Sequence, residues 1–511
     1  MEMTLRQKLG QKLIFAFYGT ELSLEFKQIL KTYSIGNVII FARNVASAQQ
    51  LRALCQEIRQ EILANTGVIP LIVIDQEGGM VTRLPEDAVT VPCAMALGAT
   101  GNPDNGRIAS EITIRQLRSL GANFNMAPVL DINTNPSNPV IGIRSFGDSP
   151  RLVSEFGLSS VKAYENSGVL CCGKHFPGHG DTNVDSHRGL PRVDKTLDQL
   201  EQAELIPFRE AIAQGIPAIM TSHILFPELE PENVPCTMSR KIITGLLKER
   251  LGFQGLIVSD CMEMDAIKDH YGTAKGSVAA VRAGVDLVEI SLSPNLMVDA
   301  AQALYEAALA GELDMDEIDA SVEKILAFKK KIEGFPLVPE QCNLPGDRAA
   351  CRELSRQALT CYDGQCPVLG EDAFICGCPD YRVSDVANER EDARPFPYVM
   401  GQLLGCAYQV TGLDPDPAEI AAVVARAKTH RQVVLGTCNA HLFPGQLALA
   451  RALAENCPQV TIVSLRDPYD IPLLPKVCCR ICAFDYTTDA FHAIAGAFRG
   501  EPITGTMPVT L

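Results

Sequence analysis

Short, continuous runs of apolar residues alternate along the chain with longer segments that carry apolar residues at helical spacing. Residues 1–335 contain eight such runs, at 12–17, 37–41, 70–75, 123–131, 169–176, 217–224, 255–260 and 286–291. Segments such as 198–215 (DQLEQAELIPFREAIAQG) lie between them and have the periodicity of amphipathic helices. Eight strand-like runs, each followed by a candidate helix, are typical of a (β/α)8 barrel.

The alternation breaks once and then resumes. Segment 334–347 (GFPLVPEQCNLPGD) is rich in proline and glycine, as linkers are. Further apolar runs follow at 373–377, 406–411, 432–436, 459–465 and 480–486. Continuous apolar strands with crossover helices predict a parallel sheet that is covered on both faces. The sequence therefore predicts an α/β protein with a TIM-type barrel over 1–335, a linker over 336–347 and a smaller, mostly parallel α/β sandwich domain over 348–511.

Composition and charge narrow the range of partners. The 511 residues are 47% hydrophobic and carry a formal net charge of −16, which argues against nucleic acid and anionic membrane surfaces as partners. The apolar run 13–18 is too short for a signal peptide core, and no run approaches the ~20 residues of a membrane span. Most of the 18 cysteines lie in apolar runs, where cysteine acts as a small buried hydrophobe. We therefore expect a cytoplasmic protein without a cofactor; its oligomeric state is not indicated.

Polar side chains stand at the end of one apolar run after another. They are Asp75, Asp131, Lys174 with His175, His223 and Asp260. The active sites of barrels gather at the C-terminal ends of the strands, so a barrel would bring these groups to one mouth. An aspartate after a strand can equally be a helix cap or a turn residue. Five placements of this kind together favour a site.

The stretch KHFPGHGDTNVDSH (174–187) first suggests a metal. His175 and His179 are four residues apart, which on a helix would place both imidazoles on one face. Pro177 and Gly178 lie between them and prevent a helix. With no Cys or Glu nearby to complete a ligand set, we expect no metal here. The three-cysteine stretch 478–482 has no obvious partners for a metal either.

An acid/base pair explains the same stretch better. Asp185 and His187 are two apart, and in an extended loop such residues point the same way. The carboxylate would favour protonated His187, which could then protonate a leaving group near neutral pH. Asp260, at the end of an apolar strand, is suited to be a nucleophile. A nucleophilic carboxylate with a proton donor is the minimum for retaining glycoside cleavage.

Four motifs in this order resemble glycoside hydrolase family 3, specifically its β-N-acetylglucosaminidase branch, the NagZ-type β-N-acetylhexosaminidases of two-domain form. They are DQEGGMVTR (75–83), NPVIGIRSFG (138–147), KHFPGHGDTNVDSH (174–187) and SDCMEM (259–264). The second domain also resembles the family's C-terminal sandwich, notably at 462–475 and 505–511. The resemblance thus extends over nearly the whole chain.

The resemblance implies roles for individual residues. Asp260 would be the nucleophile, and His187 the general acid/base with Asp185 as its partner. The substrate-binding residues would be Asp75, Arg83, Arg144, Lys174 and His175, with His223 as a further strand-end histidine of less defined role. Met80 departs from the arginine that is common in the first motif, but Arg83 remains.

The resemblance also implies a function. We expect a retaining β-N-acetylhexosaminidase that hydrolyses terminal, non-reducing β-linked N-acetylglucosamine, with cell-wall muropeptides in peptidoglycan recycling as its substrates. A β-N-acetylglucosaminide phosphorylase is an alternative, because a neutral histidine would repel phosphate less than a carboxylate would. A β-glucosidase and a non-catalytic sugar-binding protein are further alternatives.

Overall fold

The computed structural model describes residues 3–186, 189–381, 387 and 394–511. Eight short parallel strands form the first sheet: β1 Leu13–Phe15, β2 Asn37–Ile40, β3 Leu71–Ile74, β4 Phe124–Asn125, β5 Leu170–Phe176, β6 Ala218–Thr221, β7 Leu256–Val258 and β8 Val288–Ile290. Neighbours in sequence pair in register from β1 to β7, and β8 returns to pair with β1. A bridge between Val258 and Leu287 closes the ring. The predicted barrel is confirmed, and each of its eight predicted runs contains one strand.

Helices surround this ring. They are α1 Leu5–Gln11, α2 Leu24–Thr32, α3 Ala48–Thr66, α4 Ala94–Ala99, α5 Asp104–Leu120, α6 Pro150–Tyr164, α7 Leu197–Gln202, α8 Leu205–Ala213, α9 Asp265–Lys268, α10 Thr273–Ala283, α11 Pro294–Leu309 and α12 Met315–Glu333, with a π-helix at Lys241–Arg250. Local chemistry sets their ends. At α3, for example, the Ser47 hydroxyl accepts the N–H of Gln50, and Gly67 takes a left-handed conformation at φ 74°.

Within the described residues, the second sheet has six strands: β9 Thr360–Gly364, β10 Ala373–Gly377, β11 Ala407–Val410, β12 Gln432–Thr437, β13 Val460–Ser464 and β14 Cys479–Cys482. Their spatial order is β11-β10-β12-β13-β14-β9, and only the edge strand β9 is antiparallel. Its helices are α13 Pro345–Ala358, α14 Phe396–Leu404, α15 Pro417–Ala427, α16 Pro444–Asn456 and α17 Thr488–Phe498. The mostly parallel sheet is confirmed. The sequence missed β9, whose residues TCYDG lack a continuous apolar run.

Apolar cores cover both faces of the second sheet, and one of them continues into the barrel. Val433 and Leu435 of β12 pack in the same buried cluster as Met95 of α4 and Ile143 of the loop after β4. The barrel strands have a separate core of their own. The second sheet therefore buries apolar residues of the loops that leave the C-terminal ends of β3 and β4. Among the helices of the described ranges, none is long and apolar enough to cross a membrane.

Candidate active site

The C-terminal ends of the barrel strands surround a cavity of about 790 Å³. Its walls include six residues that the sequence singled out: Asp75, Arg83, Arg144, Lys174, His175 and Asp260. A cavity of this size is typical of sites for small organic ligands. Residues nearly 200 positions apart in the chain thus meet at one mouth, as the barrel geometry predicts.

Lys174 is the cationic centre of the cavity floor. Its Nζ lies 2.8 Å from Oδ1 of Asp75 and 2.7 Å from Oε1 of Glu77. Strand β5 carries Lys174, and Asp75 follows β3 directly. Burial disfavours the charged ammonium, but the two carboxylates outweigh this cost and raise the pKa of Lys174. Lys174 and Asp75 therefore present a charged donor and a charged acceptor side by side.

Glu77 holds the guanidinium of Arg144 in place through a bidentate ion pair. The guanidinium donates from Nε to Oε2 and from Nη2 to Oε1, both at 2.8 Å, and from Nη1 to the carbonyl of Val140 at 3.0 Å. Burial alone would raise the pKa of Glu77, but Arg144 and Lys174 hold it well below its usual range. Glu77 therefore fixes two cations of the cavity wall through one buried carboxylate.

Asp131 orients the start of the loop after β5. Its carboxylate accepts the backbone N–H groups of His175 at 3.1 Å and of His179 at 2.7 Å. Nδ1 of His175 lies 2.6 Å from Oδ2 of Asp131. An ionised carboxylate only accepts, so Nδ1 carries the proton and Nε2 faces Arg144, at 3.5 Å from Nη2. The cavity thus gains one imidazole nitrogen of defined orientation.

His179 braces the loop from inside. Its Nδ1 lies 2.9 Å from the hydroxyl of Thr182, and its Nε2 lies 3.1 Å from that of Ser186. Burial and the neighbouring His175 lower the pKa of His179 to about 4, so the ring is neutral. Asn138 donates to the His179 carbonyl at 2.9 Å and ties the loop to the segment after β4. His179 thus holds the shape of the loop through these hydrogen bonds.

The predicted acid/base pair is only partly described. Asp185 is buried in the loop, and Ser186, the next residue, lines the cavity. His187 lies outside the described residues, so its pairing with Asp185 stays a prediction.

Asp260 lines the same cavity as Lys174 and follows β7. Its Oδ1 accepts the backbone N–H of Cys261 at 2.8 Å. Backbone hydrogen bonds hold the chain on both sides of Asp260. The backbone N–H of Ser259 donates to the Leu287 carbonyl, and the backbone N–H of Met262 donates to the Glu289 carbonyl, both at 2.9 Å. Asp260 is half-buried and open to the cavity. A fixed, accessible carboxylate of this kind can attack a bound electrophilic carbon.

His223 lies behind this segment. It is fully buried, with Nε2 3.0 Å from the Cys261 carbonyl and Nδ1 2.9 Å from the Thr237 hydroxyl. It does not line the cavity within the described part of the chain. His223 is therefore placed to support the backbone at Cys261, next to Asp260. The predicted contact of His223 with substrate stays a prediction.

The second sheet supports the loops of the cavity. The side-chain nitrogen of Asn133 donates to the Tyr469 hydroxyl at 2.7 Å, and Cys93 donates its backbone N–H to Asp485 at 3.3 Å. Ile143, next to Arg144, is buried in the shared apolar cluster. Two loops that carry cavity residues are therefore anchored on the second sheet.

Glu77, Glu289 and Arg43 are charged residues of the cavity or its floor that the sequence analysis did not single out. Glu77 is a charged residue inside the DQEGG motif, and Glu289 is the lone carboxylate within an apolar strand. Arg43 lines the cavity from the turn after β2 and donates to the Phe17 carbonyl at 3.1 Å. A charged residue in or beside a strand was a signal for all three. As to metals, no three His, Cys, Asp or Glu side chains group as ligands in the ranges that the structure describes.

Comparisons with known proteins identify the family and support the overall fold. The profile of the glycosyl hydrolase family 3 N terminal domain matches residues 4–328. Beta-hexosaminidase A of Pseudoalteromonas piscicida is 37% identical over 402 residues, covering 70% of this chain and 67% of that protein. A beta-hexosaminidase of Thiobacillus denitrificans is 35% identical over 284 residues, covering 54% of this chain and 77% of that protein. The solved structure of a family 3 β-N-acetylglucosaminidase from Paenibacillus sp. str. FPU-7 is similar at a TM-score of 0.93 and 37% identity, covering 100% and 99% of the two chains.

Proposed function

The chain belongs to glycosyl hydrolase family 3, and we propose that it is a retaining β-N-acetylhexosaminidase that removes terminal, non-reducing β-linked N-acetylglucosamine. One observation carries the mechanism: the carboxylate of Asp260 and the Lys174–Asp75 ion pair line the same cavity. The Asp260 carboxylate can attack the anomeric carbon of a sugar, and the Lys174–Asp75 pair can bind the sugar hydroxyls. The solved relative from Paenibacillus is named a β-N-acetylglucosaminidase, and this name supports the acetylated sugar as substrate.

In the first half-reaction, a carboxylate oxygen of Asp260 forms a bond to the anomeric carbon while the bond to the leaving oxygen breaks. Protonated His187 gives its proton to that oxygen, with Asp185 stabilising the imidazolium. In the second half-reaction, neutral His187 takes a proton from water, the water oxygen bonds to the anomeric carbon, and Asp260 leaves as a carboxylate. Two displacements retain the configuration of the sugar.

The cations and acceptors of the floor would bind the sugar. Asp75 and Lys174 can accept from and donate to neighbouring hydroxyls, while Arg144 and the Nε2 side of His175 face the same space. Such charge-assisted hydrogen bonds are about twice as strong as neutral ones. We extend the proposal to muropeptides of peptidoglycan recycling in the cytoplasm as natural substrates, which the family resemblance implies.

Release of the aryl group from an aryl β-N-acetylglucosaminide tests the proposal, with the β-glucoside as a parallel substrate. Wild type and Asp260→Ala are compared, and Asp269→Ala, an exposed aspartate nearby, is the control. We expect activity on the acetylated sugar that only Asp260→Ala abolishes. Activity on the glucoside alone would reject the proposed specificity. The products are also analysed with phosphate present, and sugar-1-phosphate in place of free sugar would reject hydrolysis.

A further inference from the structure

Glu289 is a carboxyl group of the cavity that the proposed mechanism does not use. It lies on β8, paired in register with Ile14, and its side chain lines the cavity together with Asp75 and Asp260. Only 4% of the residue is exposed. An acidic side chain so deeply buried requires either a counter-charge or a proton.

The backbone holds Glu289 rigidly beside the nucleophile. Its N–H donates to the Ser259 hydroxyl at 3.0 Å, and its carbonyl accepts the N–H of Met262 at 2.9 Å. These two bonds lie on either side of Asp260 in the chain. The side chain of Glu289 therefore keeps a fixed place next to Asp260, on an element that moves little.

The charged groups around Glu289 are either carboxylates or cations that contact other acceptors. Asp75 faces it from the end of β3, and Asp260 faces it from the end of β7. Of the cations, Lys174 from β5 is shared between Asp75 and Glu77. Arg43, from the turn after β2, donates to the carbonyls of Phe17 and Ser291. Among the described residues, the thiols of Cys172 and Cys261 are further titratable neighbours of Glu289.

The neighbouring charges favour the protonated form of Glu289. An ionised Glu289 would be a third negative charge beside two aspartates that the reaction needs ionised or ion-paired. Burial first, and then the charges of Asp75 and Asp260, raise the pKa of Glu289 well above its usual range; a hydrogen bond with Ser291 and the charge of Lys174 oppose this only in part. Carboxyl pairs in active sites separate their protonation states in this way.

We propose that Glu289 is a further substrate-binding residue, which carries a proton and donates a hydrogen bond from its carboxylic acid to the sugar beside Asp260. This inference rests on the proposed function, because it places the sugar in the same cavity. Unlike the other carboxyl groups of the floor, a protonated Glu289 supplies a donor where Asp75 and Asp260 can only accept. It also leaves Asp260 as the ionised nucleophile.

The test is the pH profile of kcat/KM for Glu289→Gln and Glu289→Leu, with Glu306→Gln on the exposed face of α11 as the control. Gln keeps a donor and cannot ionise, so we expect a loss of at most about threefold at neutral pH and an alkaline limb displaced to higher pH. Leu lacks the donor and should lose about tenfold or more at neutral pH, and this loss should shrink on the alkaline side, where wild-type Glu289 gives up its proton. An alkaline limb identical in wild type and Glu289→Gln, or equal losses in the Gln and Leu variants, would overturn the proposal.

A spectroscopic measurement separates this inference from the proposed function. The infrared difference between wild type and Glu289→Gln at neutral pH should contain the C=O stretch of a protonated carboxylic acid, which needs no turnover. If only a carboxylate band is lost, Glu289 is ionised and the inference is wrong, whatever the substrate. If the acid band is present but the enzyme hydrolyses β-glucosides instead, the inference stands and the proposed specificity fails.

Discussion

The hydroxyl of Tyr469, in the second sheet's part of the chain, lies 2.7 Å from the side-chain nitrogen of Asn133, two residues after the aspartate that orients His175. This hydrogen bond connects the second sheet's part of the chain to the loop behind the cavity. Ile143 adds an apolar anchor one residue before Arg144. Contacts from the second sheet's part of the chain therefore help to position the loop that carries Arg144.

Tyr469→Phe should lower kcat/KM by about threefold to tenfold, because the lost hydrogen bond leaves the amide of Asn133 without this partner. Steady-state kinetics with an aryl β-N-acetylglucosaminide measure the change. Tyr362→Phe, at a residue of edge strand β9 that is 40% exposed, is the matched control and should behave as wild type. Equal kinetics for both variants would mean that the bond across the junction does not support the site.

Glu77→Gln should be costly for both activity and stability. The substitution leaves Arg144 and Lys174 buried without their shared carboxylate, and breaking a buried pair typically costs about 3–5 kcal/mol. Urea unfolding should show this loss, and kcat/KM should fall by more than tenfold. Glu155→Gln removes the partner of exposed Arg151 and should cost at most about 0.5 kcal/mol. A stable, fully active Glu77→Gln enzyme would contradict the role of Glu77.

We expect His179 to contribute to the loss of folding stability at acidic pH. Its pKa is about 4 in the folded chain against an ordinary 6.5, so unfolding takes up a proton between these two values. Stability from this group is therefore present above pH 6.5 and is lost as the pH falls toward 4. Between pH 7 and pH 5, wild type should lose roughly 2 kcal/mol more than His179→Asn in the free energy of unfolding. Parallel losses in the two proteins would show that His179 does not contribute.

His187→Ala tests the proposed acid through its leaving-group dependence. A poor leaving group needs a proton as its bond breaks, whereas an activated aryl oxide leaves unaided. We therefore expect a loss of about 100-fold or more on unactivated glycosides and a much smaller effect on bond cleavage in activated aryl glycosides. Single-turnover kinetics isolate the first half-reaction. Equal losses for both substrate classes would argue against His187 as the acid.

The two sheets were largely predictable because their signals are local. A buried parallel strand needs a continuous apolar run, and a crossover helix needs helical periodicity, so a few neighbouring residues suffice to locate each element. The short β4 shows the limit of this method. Its apolar run covers 123–131, yet only Phe124 and Asn125 pair as a strand, because the residues after them turn into the loop that carries Asp131.

The sequence by itself determined the barrel, the mostly parallel second sheet and the strand-end positions of Asp75, Lys174 and Asp260, since the order of elements along the chain dictates which ends meet. Only the tertiary structure decided which charges lie together. The contact of Glu77 with two cations, the placement of Glu289 in the same cavity as Asp75 and Asp260, and the hydrogen bond of Tyr469 with Asn133 depend on distances between residues far apart in the chain. Coulomb energies, burial and hydrogen bonds act through space, and a one-dimensional pattern carries no such distances.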